Sequence, residues 1–266
     1  MRRLRVGRIA ALNMYPIYHG LERAADPMLE FTDGVPTVLN AALLDGELDV
    51  SAVSSIAYAR NAERLALVPV ASITADGAVD SIQVFSRVPF DRVRTVAVTP
   101  HSATSIALLR ILLGADAPPF EVLSGPPAEA LLRVDGVLLI GDEALSGLRE
   151  PFAPHRTDLA EVWRVRSGHP MVFAVWAASA VAAREQGGAL SDLAALLTDA
   201  RAAYLADPEA VVVAAAARFP FPADFIRPYL HRLRYEFGPA ERAGLEAFLT
   251  RAAESGELDV VPRLAA

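Results

Sequence analysis

Between Leu4 and Ile73 the chain alternates β-prone runs with helix-period segments, and it repeats that alternation after a break at Asp76-Gly77. Leu4 to Ala11 reads as a strand that runs into the polar turn Asn13-Met14-Tyr15-Pro16. Pro36 opens a helix at the position where its fixed φ is already helical. Val38, Leu39, Ala42 and Leu43 give that helix one apolar face, and Gly46 caps its end. Leu48 to Val53 is the next strand, Ser54-Ser55 precede the helix IAYARNAERL, and Leu67 to Ile73 is a third strand. A βαβ rhythm needs crossover connections, and these predict a mostly parallel sheet with helices on its faces.

Ser81 to Val88 (SIQVFSRV) is extended and stands apart from the first series. After Pro89 the second series runs through strand Thr95 to Val98, loop Thr99-Pro100-His101-Ser102 and a helix from Ala103 to Leu113 that stops at Gly114. Strands follow at Phe120 to Leu123 and Gly136 to Ile140. Leu145 to Trp163, with Pro151 and Pro154, is expected to be irregular. Met171 to Ala177 (MVFAVWA) is strongly β-prone. Beyond it lie helices at Leu190 to Tyr204, Pro208 to Arg218 and Pro239 to Ala253.

Together these segments predict an α/β protein of two lobes with mostly parallel sheets. Ser81 to Val88 carries the chain out of the first lobe and Met171 to Ala177 returns it. Residues 1–86 with 172–266 then form one discontinuous lobe and 87–171 the other. The 266 residues suit two compact units. A cleft between them, at the carboxyl ends of the strands, is where a small-molecule site is expected.

Composition removes several chemistries. The chain has no cysteine, so thiolate metal sites, Cys nucleophiles and disulfides are absent. All 25 basic residues are Arg, which excludes a Schiff-base or P-loop lysine. A net charge of -7 gives no electrostatic footprint for nucleic acid. No apolar run reaches the length of a membrane span, and Arg8, Asn13 and Pro16 interrupt what a signal peptide would keep apolar. The expectation is a cytoplasmic protein that binds neither nucleic acid nor membrane, with its oligomeric state left open. There is no HExxH, no G-x-S-x-G and no G-x-G-x-x-G.

What remains is a set of small polar residues between strands and helices: Asn13, Ser54-Ser55, and Ser102 with Thr104-Ser105. Helix N-termini offer free N–H groups and a positive dipole end, so such positions suit a small anion with more than one acidic group. Each is also an ordinary place for a helix cap. His101 lies in the loop before one of these helices. Asp142-Glu143, at the carboxyl edge of a buried strand, could serve as a base, as an acceptor for a substrate hydroxyl, or as a helix cap. Trp163, Phe173 and Trp176 fit either a pocket wall or a core.

Taken in order, VGRIAALNMYPIYHGLE, VPTVLNAALLDGELDVSAVSSIAYARN, SIQVFS, VAVTPHSATSIALLRILL, LLIGDEAL and GHPMVFAVWA span nearly the whole chain. This series resembles the chorismate dehydratases of the MqnA/MqnD family, which serve menaquinone synthesis by the futalosine route. The sister branch, which releases dihydroxynaphthoate, opens with an SPCPND-like turn where this chain has LNMYP. The resemblance implies a periplasmic-binding-protein-like, type 2 clamshell with a central cleft. It implies a lyase that removes water from the dicarboxylate chorismate without metal or organic cofactor. Asn13 matches the family's Asn and Ser81 its Ser on the crossing strand, and the resemblance implies catalytic roles for both. Ser54, Ser55, His101, Ser102, Thr104, Ser105 and Asp142 are the expected substrate-binding set. Rival readings are a 1,4-dihydroxy-6-naphthoate synthase, a non-catalytic protein that clamps a small carboxylate, and the effector domain of a transcription factor.

Overall fold

The structure is a computed structural model that describes residues 2–114 and 117–264. The first βα series contains β1 (Leu4–Ile9), α1 (Tyr15–Ala24), β2 (Leu29–Gly34), α2 (Pro36–Leu44), β3 (Val50–Ser54), α3 (Ser55–Arg60) and β4 (Leu65–Ala75). The second contains β5 (Ile82–Ser86), β6 (Val96–Val98), α4 (Ala103–Leu113), β7 (Phe120–Val122), α5 (Pro127–Ala130), β8 (Gly136–Ile140), α6 (Gly141–Arg149), β9 (His155–Asp158) and α7 (Leu159–Ser167). The chain then returns through β10 (Met171–Ser179) and ends in α8 (Ala180–Glu185), α9 (Gly187–Ala206), α10 (Pro208–Ala216), α11 (Ala223–Leu230), β11 (Leu233–Glu236) and α12 (Pro239–Glu254).

Two sheets result, ordered β11-β4-β10-β3-β1-β2 and β7-β6-β8-β5-β9. They share a plan. In each, three parallel strands stand in the order second-first-third, and an antiparallel strand, β10 or β5, separates the third from the fourth. The sheets are therefore mixed, which corrects the expectation of mostly parallel ones. A buried strand reads as the same apolar run in either direction, so periodicity could not supply the sign.

The segment expected to leave the first sheet, Ser81 to Val88, is already part of the second: Ile82–Ser86 pair with β8 on one side and β9 on the other. The chain crosses at Asp80, a non-glycine residue at φ 63. Asp158 holds this crossing. One carboxylate oxygen accepts from the N–H groups of Val79 (2.9 Å) and Asp80 (2.7 Å) and from Gln83 Nε2 (2.7 Å). The other caps α7 through Ala160 and Glu161. The stretch expected to be irregular, Leu145 to Trp163, contains the second half of α6, all of β9 and the first half of α7.

Most buried apolar side chains form one core running through both lobes, and a smaller cluster around Phe85, Val137 and Leu139 lies within the second. Along β10 all residues but Ala174 are buried, as the run MVFAVWA predicts for a strand covered on both faces. Among the described residues no helix is long and apolar enough to cross a membrane.

Candidate functional site

A cavity of about 250 Å³ lies between the two sheets. Its walls come from the carboxyl ends of strands and the helix starts that follow them, where open α/β sheets place their ligands. The first lobe supplies the end of β1 with Asn13 and Met14, the start of α2 with Thr37 and Asn40, and Ser54. The second supplies Thr99, the loop from His101 to Ser105, and Ile140 to Glu143. Ile73, Ile82, Phe173 and Ala174 form its apolar part.

Helices α2, α4 and α6 thus begin at the cavity wall, so their first N–H groups and positive dipole ends lie beside it. Of the three, only α4 is capped by its own N-cap side chain: Ser102 Oγ accepts from Ser105 N at 3.2 Å. Gly141, at φ 56, turns the chain from β8 straight into α6 in a backbone region that glycine enters without strain. No arginine lines the cavity among the described residues; its polar lining is backbone amides, the side chains of Asn13, Asn40 and the Ser and Thr residues, His101, and the carboxylates of Asp142 and Glu143.

Buried polar atoms are almost always hydrogen-bonded. Among the described residues, seven buried side-chain nitrogen or oxygen atoms have no partner in the protein, and three of the seven, Asn13 Oδ1, Asn40 Oδ1 and Ser54 Oγ, belong to residues of this one wall. That concentration marks the wall as built for a polar ligand.

The expected site residues divide. Asn13, Ser54, His101, Ser102, Thr104, Ser105 and Asp142 all line the cavity. Ser102 and Ser105 bond each other through their hydroxyls (2.8 Å), and Thr104 Oγ1 accepts from Ile56 N (3.2 Å). Asp142 Oδ1 accepts from Leu12 N at 3.2 Å; burial holds its carboxyl above the ordinary range, and this bond opposes that shift only in part. Ser55 is fully buried away from the cavity, its hydroxyl donating to Val172 O, so the expectation that it binds substrate is corrected to a strand-anchoring one.

Ser81 lies one residue behind the wall formed by Ile82 and is 1% exposed. Its hydroxyl faces the phenol of Tyr229, which closes no hydrogen bond of ordinary geometry and is pushed up by burial. Of the aromatic candidates only Phe173 reaches the cavity, while Trp163 and Trp176 are core. Asn40 and Thr37 were not expected. The signal for Asn40 was available: Asn is a poor helix former, and it sits inside an otherwise apolar helix. Among the described residues no three His, Asp or Glu side chains gather as a metal site would require.

Solved structures define the class. Over 96% of this chain the fold matches protein AF1704 from Archaeoglobus fulgidus (98% of that chain, 16% identity, TM-score 0.78). It also matches the alkanesulfonate-binding protein SsuA from Xanthomonas axonopodis, bound to MOPS, over 99% of this chain and 95% of that one (19% identity, TM-score 0.71). The molecule is a two-lobed protein of the periplasmic-binding-protein-like fold. Within that class, residues 4–254 match the family model described as menaquinone biosynthesis. A chorismate dehydratase of Thermus thermophilus is 34% identical over 253 residues, 89% of this chain and 90% of the relative. The chain belongs to the menaquinone biosynthesis family.

Proposed function

We propose that this protein is a hydro-lyase that dehydrates chorismate to 3-(1-carboxyvinyloxy)benzoate. The near full-length match to the Thermus thermophilus chorismate dehydratase carries the reading. The character of the cavity agrees with it, since a dicarboxylate suits a site with several helix N-termini and unpartnered amide and hydroxyl groups.

The chemistry asks little of the protein. Loss of the proton at C3 and the hydroxyl at C4 makes a benzene ring, so aromatisation drives the reaction. The C3–H is vinylogous to the ring carboxylate, and N–H and O–H donors on that carboxylate stabilise the dienolate as it forms. The substrate's enolpyruvyl carboxylate takes the proton, and the protein holds the reacting conformer. Asn13 faces the reacting ring, Ser54 and the first turns of α2 and α4 hold the carboxylates, and Asn40 contacts the ligand from the same wall. Ser81, just behind that wall, assists the departing hydroxyl.

With this reading go the type 2 form of the fold, which the shared strand order supports, and a cytoplasmic setting. Among the described residues, 2–80 with 171–264 are then one lobe and 81–114 with 117–170 the other, a division that the pairing of β5 with β8 and β9 supports over the expected one.

The test is incubation of purified protein with chorismate, followed by mass and ultraviolet detection. A product one water lighter, with benzoate absorption, is the expected result. Calorimetric binding without turnover supports a carboxylate-binding protein instead. Neither binding nor turnover overturns the substrate assignment and directs attention to the later intermediates of the route.

A further inference from the structure

Two hydrogen bonds cross the cleft at the turns that carry Asn13 and Ser54. The turn Leu12–Met14 starts after Ala11, which offers no capping side chain, and its first N–H, on Leu12, donates to Asp142 Oδ1 at the start of α6. Helix α3 starts after Ser54, whose hydroxyl does not cap it, and the N–H of Ile56 donates to Thr104 Oγ1 in the first turn of α4. The pattern is the same in both. A turn of the first lobe is left uncapped by its own residues, and a side chain of the second lobe supplies the acceptor.

The consequence for the cavity is direct. Because Thr104 serves the α3 backbone, Ser54 Oγ is not drawn into the cap, and it remains one of the three unpartnered polar atoms of the wall. The Leu12–Met14 turn is held at both sides: Asp142 takes the N–H of Leu12, and Tyr235 OH donates to the carbonyl of Asn13 at 2.9 Å. The Asn13 side chain is thereby left with a fixed backbone beneath it and a free carbonyl oxygen.

We propose that Asp142 and Thr104 are positioning residues that act as cross-lobe caps, so that shutting the cleft is the step that sets the turns bearing Asn13 and Ser54. Asp142 therefore works as an acceptor for a backbone N–H rather than as a proton-transferring base. This rests on the proposed dehydratase reading for its kinetic arm, and its structural arm is independent of any substrate.

Asp142→Asn keeps an acceptor oxygen, Asp142→Ala removes it, and Thr104→Val keeps shape while losing the hydroxyl. Amide hydrogen exchange on the full-length protein is the primary readout. Exchange at Leu12 is expected to quicken by roughly tenfold or more in Asp142→Ala and to stay near wild type in Asp142→Asn. Exchange at Ile56 is expected to quicken by a similar factor in Thr104→Val alone. Unchanged protection at these amides in Asp142→Ala and Thr104→Val overturns the proposal, whatever the substrate proves to be.

With chorismate, Asp142→Ala and Thr104→Val are expected to lose roughly tenfold or more in kcat with a smaller change in KM, and Asp142→Asn to restore turnover to within about threefold. Equal loss in Asp142→Asn and Asp142→Ala assigns Asp142 a role through its charge and also overturns the proposal. A Tm within about 4 °C of wild type shows that a variant reports positioning rather than unfolding. Should Asp142→Ala fail to fold, exchange at Ile56 in Thr104→Val still decides the matter: unchanged protection there overturns the proposal. A wild-type protein inert toward chorismate would count against the dehydratase reading while the exchange result stands.

Discussion

The hydroxyl of Ser55 donates to the carbonyl of Val172 at 2.6 Å, whereas the hydroxyl of Ser54, one residue earlier, meets no acceptor in the protein. The pair stands where β3 gives way to α3, and the turn of the chain sends one side chain into the sheet and the other to the cavity. Ser55→Ala leaves a buried carbonyl short of a donor and should cost about 1–2 kcal/mol of stability, read by chemical denaturation. Ser54→Ala should leave stability within about 0.5 kcal/mol and raise KM for chorismate. The opposite pattern would exchange their roles.

Asn13→Ala should lower kcat by roughly 10²-fold or more with little effect on melting. The side-chain oxygen makes no hydrogen bond within the protein, and the bond from Tyr235 goes to the Asn13 backbone and survives the change. Steady-state kinetics beside a melting curve checks this. Unaltered turnover would remove Asn13 from the reaction.

For Ser81→Ala the expected result is lost turnover with a nearly unchanged melting temperature. Tyr229→Phe serves as its companion. If the phenol orients the Ser81 hydroxyl, the Phe variant loses part of the same activity; if Tyr229 only fills space, it loses none. A large drop in Tm for Ser81→Ala with normal kcat would make Ser81 structural.

The acid limb of stability should depend on Asp49. Burial alone would raise its carboxyl, but the guanidinium and backbone N–H of Arg5, with Arg2 nearby, hold it below the ordinary range. A lowered native pKa means that the folded state binds fewer protons than the unfolded one. Its contribution is present above the unfolded value of about 3.9 and is lost as pH falls through the native value. Melting temperature against pH should fall more steeply below about pH 4 in wild type than in Asp49→Asn. Parallel curves would show that the pair contributes nothing.

Much of this architecture could be read from local pattern. The helix over Ala103–Leu113 and the strand over Gly136–Ile140 have the bounds their sequences suggest, because a cap, a terminal glycine or a dense apolar run fixes each locally. Elements at sheet edges were hidden. His155–Asp158 contains no apolar residue and is a strand only because β5 offers it a free edge, and Leu29–Gly34 depends on β1 in the same way. Within the site, hydroxyls near helix starts were legible as a group, but their division was not. Whether Ser54 or Ser55 reaches the cavity, and whether Thr104 serves a ligand or the neighbouring lobe, depends on contacts between residues far apart in the chain. Asn40 lies on a helix face that became cavity wall only when the second lobe was laid against it.

The position of β10 in the middle of the first sheet bears on how a ribosome delivers this protein. Every strand of the second sheet lies between Ile82 and Asp158, so that sheet can zip up as soon as a single continuous stretch has emerged. The first sheet cannot. Its early strands remain as β2-β1-β3 and a solitary β4 until Met171–Ser179 arrives to join them, and β11 completes the edge later still. The half of the molecule translated first is therefore the half finished last, and during that interval the nascent chain exposes two raw strand edges, on β3 and β4, that β10 later covers.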